Sequence, residues 1–379
     1  MRRFVSLSLS CAAAATLLCR GPAVAKEPEP PRRPVVQLAI LLDTSNSMDG
    51  LIAQAKTQLW TVVNEFVRAR KGGQTPSIQV ALFEYGKQSL PANEGFIRQI
   101  LPLTDDLDRV SEELFALNTH GGEEYCGWVI REAVKRLEWS GSSEVYKAIF
   151  IAGNEPFTQG SVDFHVSCRA AIEKGILVNT IFCGPESAGG LSGWKDGAVL
   201  ADGRYMSIDQ NQKIVDVPAP QDKEIATLGA ALNKTYLAYG RMGQAGLARQ
   251  SAQDANAVAA SPSALVSRSI SKGNAFYCND AWDLVDAINH GKCKLEDVKD
   301  EDLPPELRKL DQAGRKAKVE EATKEREAIQ AQILALSKDR DRYLAAERKK
   351  QAGATDQTLD QAIVKAIRDQ ATQHRFTFE

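Results

Sequence analysis

The chain has 379 residues, 25% of them charged, with a formal net charge of −2 and seven cysteines. That balance excludes a global electrostatic pull toward nucleic acid, and the composition is that of a globular protein with room for two or three domains. Arg2 and Arg3 precede an apolar run from Phe4 to Leu18, and Ala23-Val24-Ala25 supplies the small-x-small pattern that signal peptidase reads, so residues 1–25 are expected to be a signal peptide. The residues before Cys11 and Cys19 do not form a lipobox. No later segment reaches the run of about 18 apolar residues that a membrane helix needs. The mature chain is therefore expected to be exported, to a periplasm or to the cell exterior, without a transmembrane segment.

Residues 26–34 are proline-rich and predict an extended tether. From Val35 the pattern alternates. Val35–Leu42 is an apolar run of buried-strand length, Leu51–Arg70 has helical spacing, and Ile78–Tyr85 is a strand again. Asp106–Leu117 and Gly127–Trp139 predict helices, Lys147–Ile151 a strand, Phe164–Lys174 a helix and Leu177–Cys183 a strand. Such a chain folds most simply as an α/β protein, a Rossmann-like, doubly wound and mostly parallel sheet with helices on both faces. Ligands bind such sheets beyond the carboxyl ends of the strands. Asp43-Thr44-Ser45-Asn46-Ser47 falls there, directly after the first strand.

At this point the chain resembles the von Willebrand factor A (VWA) domain family, whose hallmark is D-x-S-x-S after the first strand. The resemblance covers residues 35–210 and ends at Gly203-Arg204-Tyr205-Met206, which is similar to the family's last strand. It implies a metal-ion-dependent adhesion site (MIDAS) in which Ser45 and Ser47 contact a divalent cation and Asp43 acts through water. One carboxylate and two hydroxyls are hard oxygen ligands that suit Mg²⁺, Ca²⁺ or Mn²⁺ and leave positions for a partner's carboxylate. The other reading of the same residues is a turn that caps the following helix.

Two loops depart from the family. The position of its threonine ligand aligns with Glu123, and the position of its third-loop aspartate holds Gly153, with Asn154 and Glu155 beside it. The resemblance therefore assigns Glu123 as a ligand, followed by Asn154 and Glu155. Glu123 and Glu124 could equally serve the dipole of the helix they precede.

After the signal is removed, Cys126, Cys168, Cys183, Cys278 and Cys293 remain in a compartment that permits disulfides. The alternation puts Cys126, Cys168 and Cys183 at the ligand edge, where a disulfide within the trio is expected with its pairing open. His120, Cys126, His165 and Cys168 form a rival constellation of zinc-type ligands. A local disulfide between Cys278 and Cys293, which flank the amphipathic stretch Ala281–Asn289, is also expected.

Residues 211–300 predict a helical extension on or near the VWA-like domain, with Ile225, Leu228, Leu232, Tyr236 and Tyr239 on one stripe. The small-residue stretch Gln244–Ser271 reads either as a closely packed helix or as a poorly ordered segment. Residues 301–379 predict a charged helical hairpin. Ile329, Ile333, Leu336 and Tyr343 form its seam, Arg326 and Arg340 interrupt that seam against an extended coiled coil, and Gly353 turns into the helix Leu359–Ile367. Interleaved charge of both signs reads as a solvated face rather than a nucleic-acid arm.

Similarity to the family implies cation-dependent binding of a protein or peptide rather than catalysis. A scaffold in an envelope assembly, with a degenerate site and a recognising helical tail, is the alternative. An exported hydrolase is disfavoured: the four histidines lack catalytic company, no G-x-S-x-G, phosphate loop or H-E-x-x-H occurs, and Glu84, Glu123 and Glu155 have no spacing that demands acid catalysis.

Overall fold

The computed structural model describes residues 33–212, 216–350 and 359–378; the expected signal peptide, most of the tether and the turn at Gly353 lie outside them. The first part of the chain runs β1 (Val35–Asp43), α1 (Asp49–Glu65), β2 (Ala69–Arg70), β3 (Ser77–Tyr85), β4 (Ile97–Thr104), α2 (Leu107–Ala116), α3 (Cys126–Arg136), β5 (Tyr146–Gly153), α4 (Phe164–Glu173), β6 (Leu177–Cys183), α5 (Glu186–Leu191), α6 (Trp194–Leu200) and β7 (Tyr205–Ile208). Helices then follow: α7 (Asp222–Leu232), α8 (Gly243–Ala260), α9 (Pro262–Lys272), α10 (Leu284–Asn289), α11 (Pro305–Arg308), α12 (Gln312–Lys350) and α13 (Leu359–Gln373), with a final short strand β8 (Thr377–Phe378).

Six strands form one sheet in the order β4-β3-β1-β5-β6-β7, parallel throughout except for the antiparallel edge strand β4. The Rossmann-like α/β class expected from the alternation is the class observed. β4 escaped the sequence reading because Pro102 and the irregular burial along the strand, with Arg98 and Pro102 exposed, weaken the strand signal, features an edge strand tolerates.

Strand β1 is buried on both faces, which is why it is apolar from Val35 to Leu42 except at Gln37, whose amide is satisfied by Gln79 at 2.8 Å and by Ser140 N at 2.8 Å. Val36, Leu38 and Leu42 enter the layer that holds α1, while Ala39 and Leu41 face the layer of α3 and α4. The first of these layers also contains Ile225, Val266, Tyr277, Ile333, Ile363 and Ile367, so the helices after β7 share a core with the sheet.

α13 packs on α1 and reaches β6 and β7. Gln370 of α13 forms a buried polar contact with two strands, accepting from Tyr146 Oη at 2.8 Å and donating to Asn179 Oδ1 at 2.7 Å. β8 pairs with β2. α12 lies instead on α7, α9 and α10. The two C-terminal helices, read from sequence as a hairpin, are thus anchored chiefly on different parts of the body, each by its own apolar stripe.

Arg326 and Arg340, expected to interrupt the seam of α12, are its polar anchors. Arg326 is 4% exposed; its Nη1 meets Asp283 Oδ2 at 2.6 Å and Asp286 Oδ1 at 2.7 Å, and its guanidinium lies 4.1 Å from the Tyr236 ring centroid. Arg340 Nε pairs with Asp222 Oδ1 at 2.6 Å. The stripe expected to run through Tyr236 and Tyr239 ends earlier: α7 stops at Leu232, and Tyr236 has extended backbone that places it against Arg326.

The small-residue stretch is ordered as α8 and α9, divided at Ser261. That side chain accepts from Ala264 N at 3.1 Å while Pro262 opens the new helix, a residue pair well suited to a helix start. α9 carries Arg268, fully buried between Asp108 of α2, Asp254 of α8 and the Trp60 ring of α1.

Candidate metal centre

β1 pairs with β3 on one side and β5 on the other, so the chain leaves the sheet at its switch point exactly where Asp43 ends the central strand. Thr44 N bonds Tyr85 O at 2.9 Å and His120 N bonds Thr44 O at 2.9 Å, tying the first loop to β3 and to the loop before α3. Asp43 is fully buried, and its Oδ1 accepts from Ser45 N at 2.7 Å. This turn brings the Ser45 and Ser47 hydroxyls to 3.1 Å from each other and Ser47 Oγ to 3.4 Å from Asn154 Oδ1. Asp43, Ser45, Ser47 and Asn154 therefore converge from two loops.

The second-loop carboxylate facing Asp43 is that of Glu124 rather than Glu123. Glu124 is 4% exposed and interacts with both Asp43 and Ser45. Glu123 points to the exposed rim, where Gln159 Nε2 donates to its Oε2 at 3.3 Å. The same glutamine accepts from Glu124 N at 2.9 Å, which sets the orientation of the pair. Two adjacent glutamates on a loop carry no periodic signal, so only the surrounding packing selects between them. Glu155 is exposed, and its negative charge adds to the repulsion at Asp43 and Glu124.

Burial pushes the carboxyl of Asp43 above its usual range, opposed by hydrogen bonding to Glu124 and Ser45. Burial also pushes Glu124 up to about 9, with the adjoining Asp43 as the next contribution. Asp43 Oδ2 and Glu124 Oε2 are buried and have no hydrogen-bond donor. Two facing carboxylates in that condition are relieved by a shared proton or by a cation. With two serine hydroxyls and an amide oxygen alongside, the donor set is all hard oxygen, and it fits Mg²⁺, Ca²⁺ or Mn²⁺.

The glycines here are required by close approach. A Cβ on Gly86, which has φ +80°, would lie 2.8 Å from Asp43 Oδ1 and from Glu124 Cγ. A Cβ on Gly153 would lie 2.5 Å from Tyr85 Oη and 3.1 Å from Asp43 Oδ2, while Tyr85 Oη is held by Ala152 O at 3.0 Å. The third loop therefore has no room for the aspartate of the family pattern, and Glu124 brings a carboxylate from the second loop. Gly153→Ala is expected to destabilise the protein by about 1–3 kcal/mol through overpacking. Tyr85→Phe in the same chain should recover part of the loss, as read from denaturant midpoints; no recovery would mean that Tyr85 is not the obstructing group.

The cysteine expectations are corrected. Cys126, Cys168 and Cys183 are buried free thiols, and Cys278 and Cys293 are free and partly exposed. Cys126 Sγ lies 3.8 Å from Tyr85 Oη. Cys278 Sγ is 3.2 Å from His290 Nδ1 instead of being bonded to Cys293. The rival zinc constellation does not assemble either: His165 Nδ1 is taken by Asp163 at 2.7 Å, and His120, Cys126, His165 and Cys168 do not converge. Of the acids considered for hydrolysis, Glu84 is engaged by Arg98 Nε at 2.5 Å and by Thr44 Oγ1 at 3.3 Å, and Glu123 by Gln159 at 3.3 Å.

These features define a doubly wound α/β protein with an acidic, hydroxyl-lined site at the switch point of its sheet. No protein-family model and no curated protein matches the chain. Among solved structures, BatB from Bacteroides thetaiotaomicron is 18% identical over 46% of this chain and 90% of its own, with a TM-score of 0.34. The VWA domain of SpRpn10 is 16% identical over 48% of this chain and 98% of its own, at 0.34. Proximal thread matrix protein 1 from the mussel byssus, with a zinc-occupied MIDAS motif, is 14% identical over 46% of this chain and 42% of its own, at 0.33. VWA domains are thus among the similar structures, but at these scores the α/β class rests on the strand order and packing described above. No helix among the described residues is long and apolar enough to cross a membrane.

Proposed function

We propose that the chain is an exported binding protein of VWA type that holds a divalent cation at Asp43, Ser45, Ser47 and Glu124, with Asn154 at the margin, and engages an acidic group of a protein or peptide partner. The observation that carries this reading is the pair of buried carboxylates, Asp43 and Glu124, beside two convergent serine hydroxyls at the switch point. A bound cation would supply a Lewis-acidic position for a carboxylate on the partner. Asp43 and Glu124 would neutralise it, Ser45 and Ser47 would offer neutral oxygens, and Gln159 would orient Glu124 through its backbone N–H. Binding rather than catalysis is proposed on the resemblance of the Asp43–Ser47 motif, and export on the pattern of residues 1–25.

A second reading, a scaffold with a self-satisfied site, is favoured by the rise of Glu124 to about 9, which suits a carboxyl pair sharing one proton. Calorimetric titration of the mature chain with Mg²⁺, Ca²⁺ and Mn²⁺ separates the two. Saturable binding is expected in the natural sequence and at least about tenfold weaker binding in Ser45→Ala/Ser47→Ala, the scale at which loss of ligand hydrogen bonding and coordination is felt. Absence of binding in a folded natural-sequence protein would overturn the cation-dependent reading and turn attention to the scaffold.

A further inference from the structure

We infer that Cys278, Asp280 and His290 form a second cation site, separate from the switch point and suited to zinc or another borderline-soft divalent ion. Their ligand atoms, one from each side chain, all lie within 4.8 Å of one another, and this is the grouping of its kind among the described residues. Cys278 Sγ is 3.2 Å from His290 Nδ1, and His290 Nδ1 is 3.6 Å from Asp280 Oδ2. For zinc bond lengths of about 2.0–2.3 Å at a tetrahedral angle, neighbouring ligand atoms stand roughly 3.3–3.6 Å apart. The observed spacings therefore need little movement.

The ligands are also well placed. Asn279 N donates to Asp286 Oδ2 at 2.9 Å and Tyr239 Oη donates to Asp280 O at 3.0 Å, fixing the backbone on both sides of the short Cys278–Asp280 run. His290 directly follows α10, whose first turn is capped by Asp283, and its own N–H bonds Asp286 O at 2.9 Å. His290 is 40% exposed and Asp280 28%, so an ion can enter from solvent. Three protein ligands of thiolate, imidazole and carboxylate type leave one position for water or for an outside ligand. The set differs from the hard-oxygen site at Asp43 and should select a different ion.

The test is titration of the reduced, full mature chain with Co²⁺, whose bond to a thiolate gives a near-ultraviolet charge-transfer band, followed by displacement with Zn²⁺. One equivalent should produce the band, Zn²⁺ should abolish it, and Ser45→Ala/Ser47→Ala should leave it intact. Cys278→Ser should remove the band, and His290→Ala should weaken Co²⁺ binding by about tenfold or more, the scale set by loss of support at a metal site. Because His290 is exposed and Cys278 is partly exposed in the loop before α10, circular dichroism should confirm that both variants fold. No band in the reduced protein, a band unaffected by Cys278→Ser, or a Cys278–Cys293 disulfide that persists through reduction would overturn the assignment.

Discussion

Arg268→Ala should destabilise the protein by about 3–5 kcal/mol, the usual consequence of removing one partner from a buried ion-pair cluster. Arg268 is fully buried; Nη1 meets Asp108 Oδ1 at 2.6 Å, Nε bonds Asp254, and Nη2 donates to Gln250 O at 3.0 Å. Its guanidinium lies 4.7 Å from the Trp60 ring centroid, and Tyr277 Oη donates to the other oxygen of Asp108 at 2.6 Å. Alanine would leave Asp108 with a single neutral donor. Lys272 also binds Asp254, at 2.8 Å, and its ammonium is held down to about 8 by burial first and by the neighbouring Arg268 second. Loss of Arg268 thus relieves Lys272 in part but does not compensate Asp108.

Since the cluster joins α1, α2, α8 and α9, the effect should appear as a lower midpoint in denaturant with the whole transition shifted. Combining Arg268→Met with Asp108→Asn should recover much of the loss, because one charge of each sign is removed and Asp254 keeps Lys272 as its partner. A loss below about 1 kcal/mol in Arg268→Ala would show that water or rearrangement already satisfies these carboxylates.

In the presence of a chelator, stability should fall as pH rises from about 4.5 toward about 9, the interval between the ordinary and the raised Glu124 values. Below the interval Glu124 is protonated in both states. Within it the unfolded chain gives up the proton while the folded protein keeps it, so the folded state binds more protons and each step upward in pH favours unfolding. Above about 9 both states are ionised and the slope ends. Glu124→Gln keeps a neutral side chain of the same length and should flatten this part of the profile and raise Tm at its upper end. Thermal unfolding across that range, with chelator, decides it: parallel curves for the two proteins would mean that Glu124 does not hold its proton against Asp43. With a cation supplied, ion and proton compete, and binding by the natural sequence should tighten as pH rises.

The alternation of buried strands and amphipathic helices was legible from Val35 to Cys183, because parallel strands covered on both faces read as near-continuous apolar runs. The position of Asp43, Ser45 and Ser47 at the carboxyl end of the central strand followed from the same pattern. Edge strand β4 did not, since a half-exposed strand with a proline gives little periodic signal.

The rest was set by contacts between residues far apart in sequence. Composition and periodicity determined the class of fold, the first loop of the site and the helical character of the later chain. Tertiary packing alone decided that Glu124 rather than Glu123 turns inward, since both precede the same helix and only Gly86, Gln159 and Asp43 distinguish their surroundings. It likewise decided that Arg326 and Arg340 are buried anchors, because an arginine on a helix reads as solvated until aspartates from other helices surround it. Even the local choice of His290 over Cys293 as the neighbour of Cys278 was open in the sequence: a pattern records which groups are available, and the folded path of the chain around α10 fixes which of them meet.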